Sequence, residues 1–317
     1  DPQWSPKAGL VFRPVEGQTF RATYNRAFKS PTTLQTDFYI PDFVAGVGVF
    51  GNTSGFDVKK ADGTLLAHYN PVVPEKNQTW ELGYKGLIHD RLFVDVTGYR
   101  STYENFLSPL TTIAFPAIGS FAYENGQKVV NEKGQNQAVL TYFNLGKAKL
   151  RGADLGANYI LSPRVDFAGT FSWTDLQSME GVNIKTVTGA ADTAKIRELS
   201  TLNSPEKKWS LGANLRDLHD WLGGVTVRHV GGYFFVSGIN KGTIPTFTTL
   251  DLNVGYKVNR FNTTLNLGVS NLFSCRDADP AAPGSKNECG FGVEHREMVN
   301  MPQIGTMLFI GGRYHIQ

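Results

Sequence analysis

Apolar and polar residues alternate with a period of two in many segments of the chain. In Leu250–Val258 every even position is apolar and every odd position is polar or glycine. After Asn259 and Arg260 the alternation resumes and continues to Phe273. Because successive side chains of a β-strand point to opposite faces, each run predicts a strand, and the two runs together predict a hairpin with a tight turn.

The same alternation predicts eleven strands along the chain. Several alternate over about a dozen residues, which suits a tilted membrane crossing better than the five or six residues typical of a soluble strand. The predicted fold class is therefore all-β, a transmembrane antiparallel β-barrel. The strands are predicted over residues 5–13, 18–30, 77–87, 91–107, 138–161, 165–177, 205–217, 221–237, 246–258, 261–273 and 302–316.

The connections between these strands alternate between short and long. The short ones are 14–17, 88–90, 162–164, 218–220 and 259–260, and the long ones are 31–76, 108–137, 178–204, 238–245 and 274–301. A soluble sandwich distributes its long loops over both ends, whereas an outer-membrane barrel has short periplasmic turns and long external loops. This asymmetry predicts a bacterial outer-membrane location.

Aromatic residues gather near the predicted strand ends, as they do at the two interfaces of a membrane barrel. Alternation alone leaves open whether the apolar face meets lipid or a soluble core. The aromatic set as a whole favours lipid. It comprises Trp80, Tyr84, Tyr159, Trp173, Trp209, Trp221, Tyr256 and Tyr314.

Composition and motifs exclude several functional classes. The 31 basic and 28 acidic residues nearly balance and no basic run stands out, which argues against nucleic acid as a partner. No apolar stretch approaches the roughly 18 residues that a membrane-spanning helix needs. The G-x-S-x-G, H-E-x-x-H and Walker patterns are absent, so we predict no enzyme, no catalytic residue and no cofactor.

The two cysteines, Cys275 and Cys289, lie in one segment rich in Pro, Gly and Asp. A local disulfide is favoured over a metal site because C-x2-C spacing is absent, and it implies an oxidising compartment. Asp277 with Asp279 suggests a hard-cation site, and His295 with a nearby methionine suggests copper. Solvated loop charge is the better interpretation of these side chains, so no metal is predicted.

Four segments carry a resemblance to a known family. Tyr24–Thr32 resembles a strand end with an Ala-Phe-x-x-Pro element, and Asn70–Gly86 resembles an "NP-x-x-PE … E-x-G-x-K" strand. Leu250–Phe273 resembles a penultimate hairpin ending in Asn-Leu-Phe, and Pro302–Tyr314 resembles a closing strand. In this order and spacing the segments resemble the C-terminal barrel of TonB-dependent outer-membrane receptors, from about residue 5 to 316.

The resemblance implies a barrel of 22 strands with an N-terminal plug domain inside it. Residues 1–317 then form the C-terminal part of the barrel, and the N-terminal strands and the plug lie outside this chain. An odd count of eleven agrees, because bacterial single-chain barrels have even counts. The implied function is active uptake of a scarce, bulky nutrient such as a ferric siderophore. The implied partners are outer-membrane lipid, a small-molecule or oligosaccharide ligand, and the TonB–ExbB–ExbD energy-coupling complex, reached through the plug.

Two sets of residues are candidates for ligand contact. Aromatic side chains in the long loops can stack on a sugar or an aromatic siderophore, or instead form an internal core of the loops. Polar side chains on the strands can face the lumen, or instead pair with neighbours across the strands. The loop candidates are Phe38, Tyr39, Phe43, Phe115, Phe121 and Tyr123. The lumen-facing candidates are Glu81, Lys85, Asp154, Asn158, Arg216, Asp251, Asn253 and Lys257.

Two other functions remain open from the residues alone. A passive porin-type barrel has the same wall but lacks a plug domain. A soluble extracellular carbohydrate-binding β-protein has strands and exposed aromatics but stays monodisperse without detergent.

Overall fold

A computed structural model of the chain describes residues 3–180, 202–237, 240–280 and 282–315. Helical structure in these residues is confined to α1 (Thr33–Thr36) and two 3-10 turns at Pro116–Ile118 and Asn259–Phe261. The strands in chain order are β1 (Lys7–Phe12), β2 (Gln18–Lys29), β3 (Tyr39–Val44), β4 (Val47–Phe50), β5 (Phe56–Lys60), β6 (Leu65–Tyr69), β7 (Glu75–Ile88), β8 (Leu92–Leu107), β9 (Thr111–Ala114), β10 (Ser120–Glu124), β11 (Gln127–Lys128), β12 (Ala138–Thr141), β13 (Asn144–Ser162), β14 (Val165–Glu180), β15 (Lys207–Leu218), β16 (Trp221–Val230), β17 (Tyr233–Ser237), β18 (Asn240–Ile244), β19 (Phe247–Val258), β20 (Thr263–Arg276), β21 (Glu288–Phe291) and β22 (Met307–Tyr314).

Twelve of these strands form one large antiparallel sheet, and all but the short strand β21 are the eleven that alternation predicts, here called the wall. Their order is β1-β2-β7-β8-β13-β14-β15-β16-β19-β20-β22, so each wall strand pairs with the next one along the chain. On the edge opposite β19, strand β20 has two successive partners. Its first part pairs with β22, and its last residues pair with the short strand β21. The predicted antiparallel barrel architecture is confirmed.

The strand register gives the wall one polar and one apolar face. Thr23, Glu81, Tyr99, Gly152 and Thr174 are direct cross-strand partners on five neighbouring strands, and they define the polar face. The adjacent row lies on the opposite face, the apolar face, because neighbouring residues of a strand point to opposite sides. That row consists of Ala22, Leu82, Gly98, Ala153 and Trp173.

All eight aromatic residues predicted near strand ends lie on the apolar face, in two rows. Near the long loops, the rings of Trp80 and Tyr24 are 4.6 Å apart between centroids. Near the short turns, the rings of Trp221 and Tyr256 are 4.9 Å apart. Two aromatic rows that bracket an apolar band are typical of a membrane-spanning barrel wall.

Eight predicted strands agree with the structure to within three residues at each end, and the other three differ by a break or by a larger shift. The predicted strand 138–161 is two strands, because the carbonyl of Tyr142 accepts from Asn52 and the amide of Phe143 donates to Ser108, which takes the backbone out of the ladder. The predicted strand 221–237 breaks at Gly231 and Gly232, whose amides bond to Lys207 and Thr246. The last strand covers Met307–Tyr314 rather than 302–316, and residue 316 lies outside the described residues.

The first two long connections are folded together into one unit, the loop cap, which alternation does not predict. It contains the sheets β3-β4-β12-β9 and β11-β10-β5-β6. Strands β4 and β12 are parallel and come from different connections. The two sheets enclose a buried core that includes Phe50, Phe56, Val58, Val139 and Phe143.

The short turns between wall strands are as predicted, with left-handed residues such as His89 and Asp90 in them. The predicted long connection 178–204 falls mostly on residues 181–201, outside the described residues. Within the described parts of the chain, no helix is long and apolar enough to cross a membrane.

Candidate ligand site on the polar face

All eight residues predicted to face the lumen lie on the polar face of the wall. Several of them pair with neighbours. Lys257 Nζ lies 2.7 Å from Asp217 Oδ2 near a short turn. Glu81 Oε2 accepts a hydrogen bond from Thr23 Oγ1 at 3.1 Å. Asp251 Oδ1 accepts from the backbone amide of Asn271 at 2.7 Å.

Asp166 is the centre of the densest polar contacts on this face. Its side chain is 4% exposed, and Arg216 Nη2 lies 2.6 Å from its Oδ1. The amides of Asn158 and Asn214 donate to its Oδ2 at 3.3 and 3.0 Å. A buried carboxylate needs such partners, because a buried charge left unpaired is costly. For Asn158 and Arg216 the structure therefore favours a role in holding the wall together.

The other lumen candidates are less constrained. Asp154 and Lys85 are exposed, and the Lys85 ammonium lies 5.1 Å from the centroid of the Phe93 ring. Asn253 lies across Gly224, where an added Cβ would sit 2.7 Å from the amide nitrogen of Asn253. These three side chains remain candidates for contact with a ligand or with a domain inside the barrel.

The six loop aromatics all lie in the loop cap, in two kinds of environment. Tyr39, Phe43 and Phe115 are exposed on its surface. Phe38 is half-buried, as are Phe121 and Tyr123, and the latter two are covered by lysines. The Lys128 ammonium lies 3.7 Å from the Phe121 ring centroid, and the Lys59 ammonium lies 5.1 Å from that of Tyr123.

The connection between β20 and β22, residues 277–306, is here called the last loop, and it folds back onto the polar face. Glu297 Oε1 lies 3.2 Å from Nη2 of Arg228, a polar-face residue of β16. The carbonyl of Glu297 accepts from the Tyr233 hydroxyl at 2.8 Å. Val299 packs with Phe235 and other apolar side chains in a second buried core beside the β17–β18 hairpin.

His295 anchors the last loop to the wall. It is 2% exposed, and its ring stacks on Phe247 with a centroid distance of 4.2 Å. Its Nε2 lies 3.5 Å from Glu297 Oε1. Burial lowers the pKa of His295 below its ordinary range, and this effect outweighs the nearby Glu297 and Asp251 carboxylates, which act in the opposite direction. The imidazole is therefore neutral at pH 7.

An open pocket of about 470 Å³ lies between the last loop and the polar face. Its volume is in the range of small-molecule sites, roughly 300–1,000 Å³. Its lining combines two cations and the carboxylate of Glu297 with apolar and aromatic side chains. The main lining residues are Lys208, Arg228, Tyr233, Phe247, Met298 and Met301.

The sequence predictions did not include Lys208 or Arg228 among the site residues. Both residues occupy positions of their strands that point to the polar face. Lys208 pairs with Val230 and Arg228 pairs with Ser210, and the two pairs lie two residues apart on that face. Alternation therefore carried a signal for their orientation. The pocket itself depends on the last loop folding inward, which no local pattern indicates.

The predicted disulfide is present, between Cys275 at the end of β20 and Cys289 in β21. Beyond it, Arg296 Nη1 lies 3.0 Å from Asp279 Oδ2. No group of three or more His, Cys, Asp or Glu side chains in the described residues is placed to hold a metal ion. Four charged side chains of the last loop thus pair with one another or with the wall, namely Asp279, Glu288, Arg296 and Glu297.

Comparison with known proteins gives the family. The model of the family described as "TonB dependent receptor-like, beta-barrel" matches residues 1–272. No curated protein matches the sequence.

Solved structures show the same fold at low identity. The FrpB iron transporter from Neisseria meningitidis (F3-3 variant) has a TM-score of 0.57 at 15% identity, with 98% of this chain and 39% of that chain covered. A mutant of the ferric enterobactin receptor PfeA from Pseudomonas aeruginosa has a TM-score of 0.56 at 19% identity, with 98% and 40% covered. The ferric-catecholate import receptor Fiu from E. coli K12 has a TM-score of 0.52 at 18% identity, with 96% and 34% covered.

The chain spans two fifths or less of the length of these three structures. The structural similarity and the family match both indicate that the wall is made of membrane-spanning strands. Members of this family are outer-membrane β-barrels. The chain belongs to the TonB-dependent receptor family and forms part of the receptor β-barrel.

Proposed function

We propose that the chain is the C-terminal part of an outer-membrane receptor that actively imports a ferric siderophore. In this proposal the remaining barrel strands and a plug domain lie elsewhere in the receptor, and the plug couples uptake to the TonB–ExbB–ExbD complex. Family membership supports a receptor, and three similar structures are those of an iron transporter, a ferric enterobactin receptor and a ferric-catecholate import receptor.

The pocket under the last loop is the observation that carries the substrate class. Lys208 and Arg228 line the pocket on the polar face, where Arg228 is paired with Glu297 and Lys208 leaves one positive charge in excess, while Tyr233 and Met298 provide apolar surface. An anionic chelate with aromatic rings satisfies both sides, because charge-assisted hydrogen bonds hold the anion and the rings pack on apolar surface. The exposed Tyr39, Phe43 and Phe115 of the loop cap are proposed as an earlier, external contact for the same rings.

The family assignment favours this function over the two alternatives. A passive porin and a soluble carbohydrate-binding protein both lack the receptor-type barrel that the family match identifies. The inward fold of the last loop also narrows the polar side of the wall, which suits selective capture better than free diffusion. Capture of a bulky ligand then requires an energy source for its release inward.

Uptake of radiolabelled iron tests the proposal in cells that carry the full-length receptor as their sole route for the chelate. We expect uptake of a ferric tris-catecholate to stop when a protonophore collapses the proton gradient, while binding at the surface persists. Uptake that continues without the gradient would instead identify a passive pore.

Lys208→Gln tests the pocket, with Lys207→Gln as its matched control. The two lysines are neighbours in β15, but Lys208 lies on the polar face and Lys207 lies on the apolar face opposite Trp173. Loss of one charge-assisted contact is expected to weaken binding of the anionic chelate about tenfold in the Lys208 variant. Equal binding by both variants would remove the pocket from the proposal.

A further inference from the structure

A group of cations lies on the apolar face, just beyond the aromatic row near the long loops. The register places these residues on the four adjacent strands β2, β7, β8 and β13, all pointing to the side of Trp80 and Leu82. This group, the basic stripe, consists of Arg26, Lys76, Arg100, Lys147, Lys149 and Arg151.

Arg100 and Arg151 are the centre of the basic stripe, because they are direct cross-strand partners. Like charges directly opposite each other in a sheet are destabilising unless an anion lies between them. Arg151 has a carboxylate partner, Asp175 Oδ2, at 2.9 Å. Within the described residues, no salt bridge of 4.0 Å or less involves Arg100, Arg26 or Lys76.

The carboxylates of the same face do not neutralise the stripe. On β2, β7, β8, β13 and β14 they are Glu104, Asp175 and Glu180, so six cations face three anions and an excess of three positive charges remains. Lys149 Nζ forms an ion pair with Glu180 Oε1 at 3.0 Å. Glu104 is the cross-strand partner of both Lys76 and Lys147. Just before the next strand, Glu206 adds one carboxylate beside the aromatic row, where it accepts a hydrogen bond from Trp173 Nε1 at 3.2 Å, and Lys207 adds one cation to the same face.

The aromatic row near the long loops indicates how deep in the membrane the basic stripe lies. Trp80 is the cross-strand partner of Arg100, and the Arg151 guanidinium lies 5.5 Å from the Trp173 ring centroid. One step further along β7 on the same face, Leu82 is 71% exposed. Tryptophan rings occupy the boundary between acyl chains and headgroups, so cations directly beyond them lie at the level of the headgroups.

We propose that the basic stripe binds a phosphorylated lipid headgroup in the leaflet on the long-loop side, with Arg100 and Arg151 sharing a phosphate. This rests on the membrane location in the proposed function. Planar guanidinium groups bind phosphate through paired hydrogen bonds. A phosphate bound by both arginines offsets the repulsion between their positive charges. The continuity of the stripe with the exposed apolar band favours a lipid over a protein as the occupant.

The test is lipid binding to the purified full-length receptor in nonionic detergent, measured by non-denaturing mass spectrometry. The probe is lipid A with two phosphates, and phosphatidylcholine, which has no net charge, is the comparison lipid. We expect the double variant Arg100→Gln/Arg151→Gln to bind lipid A about thirtyfold more weakly, since each cation near a membrane surface contributes roughly one kcal/mol. Phosphatidylcholine binding is expected to stay the same.

Arg91→Gln/Arg164→Gln is the matched control, because it removes the same charge at exposed positions beside the short turns. Lipid A binding that falls equally in both double variants, or in neither, overturns the inference. If the first variant fails to fold, judged by the heat-dependent gel mobility of barrels, Arg100→Lys/Arg151→Lys replaces it and is expected to bind at an intermediate level. A receptor that needs no detergent refutes the proposed membrane location, whereas one that imports its chelate but ignores lipid phosphate refutes only the stripe.

Discussion

At the scale of single residues, burial gives two histidines opposite responses to pH. His295 is packed under the last loop, where desolvation lowers its pKa. His68 lies on the loop cap, where its hydrogen bond with Asp57, at 2.7 Å, raises its pKa. A lowered folded pKa means that the unfolded state binds more protons as pH falls, so acid weakens the anchor at His295. The interaction of His68 with Asp57 instead stabilises the loop cap at pH values below the ordinary pKa of histidine. This stabilisation is lost as the pH rises through the raised pKa of His68.

Acidification from pH 7.5 to 5.5 is therefore expected to loosen the last loop and not the loop cap. An unfolded histidine titrates near 6.5, so one pH unit below that value shifts the local opening equilibrium by up to about tenfold. Limited proteolysis of the full-length receptor at the two pH values measures this, with cleavage in the cap as the reference. His295→Phe keeps a ring to stack on Phe247 but cannot be protonated, and its cleavage should lose the pH dependence. Persistent pH dependence in that variant would place the titrating group elsewhere.

At the scale of elements, the sequence predicts the wall well and the loop strands poorly. Nine of the eleven wall strands have one apolar and one polar face over ten or more residues, so alternation identifies them and their orientation. The loop strands are two to six residues long. Ala138–Thr141 is buried on both faces, so it has no alternation and the sequence prediction merges it with the wall strand that follows. The pocket depends on Lys208 and Arg228 meeting the last loop, which is set by tertiary contacts of Glu297 and His295 that no local pattern contains.

The short strand β21 is joined to β20 by the disulfide as well as by its ladder and the Arg276–Glu288 ion pair. It pairs with β20 over only four residues, whereas β20 pairs with β19 and β22 along most of its length. Replacing both cysteines, Cys275→Ser/Cys289→Ser, releases a loop whose closure contributes about 3 kcal/mol in the chain-entropy description. We expect faster amide hydrogen exchange in Glu288–Phe291 and unchanged exchange between β20 and β22. Uniformly faster exchange across the wall would show that the disulfide stabilises the barrel as a whole.

At the scale of the whole molecule, the wall separates two environments across the thickness of one strand. Leu82 and Glu81 are neighbours in β7, and they lie on the apolar and the polar face. If the apolar face meets lipid, these two positions differ in every property that depends on solvent. The difference provides a direct measurement of how the receptor sits in the membrane.

Spin labels attached at Leu82→Cys and Glu81→Cys, one variant at a time, report that difference in the full-length receptor in lipid vesicles. Molecular oxygen concentrates in the acyl region and a water-soluble nickel chelate stays outside it. We expect the label at 82 to collide with oxygen and the label at 81 to collide with the chelate. Equal collision rates at both positions would contradict a lipid-facing apolar side.

The parallel pairing of β4 with β12 in the loop cap imposes an order of events on assembly. Thr141 donates to the carbonyl of Phe50 across 91 positions of the chain, and β12 is a central strand of its sheet. The first long connection therefore lacks a central strand until the second connection has reached the same side of the wall. The cap therefore completes its fold only after both long connections lie on the same side of the wall, and it then ties together two hairpins that are separate in the chain.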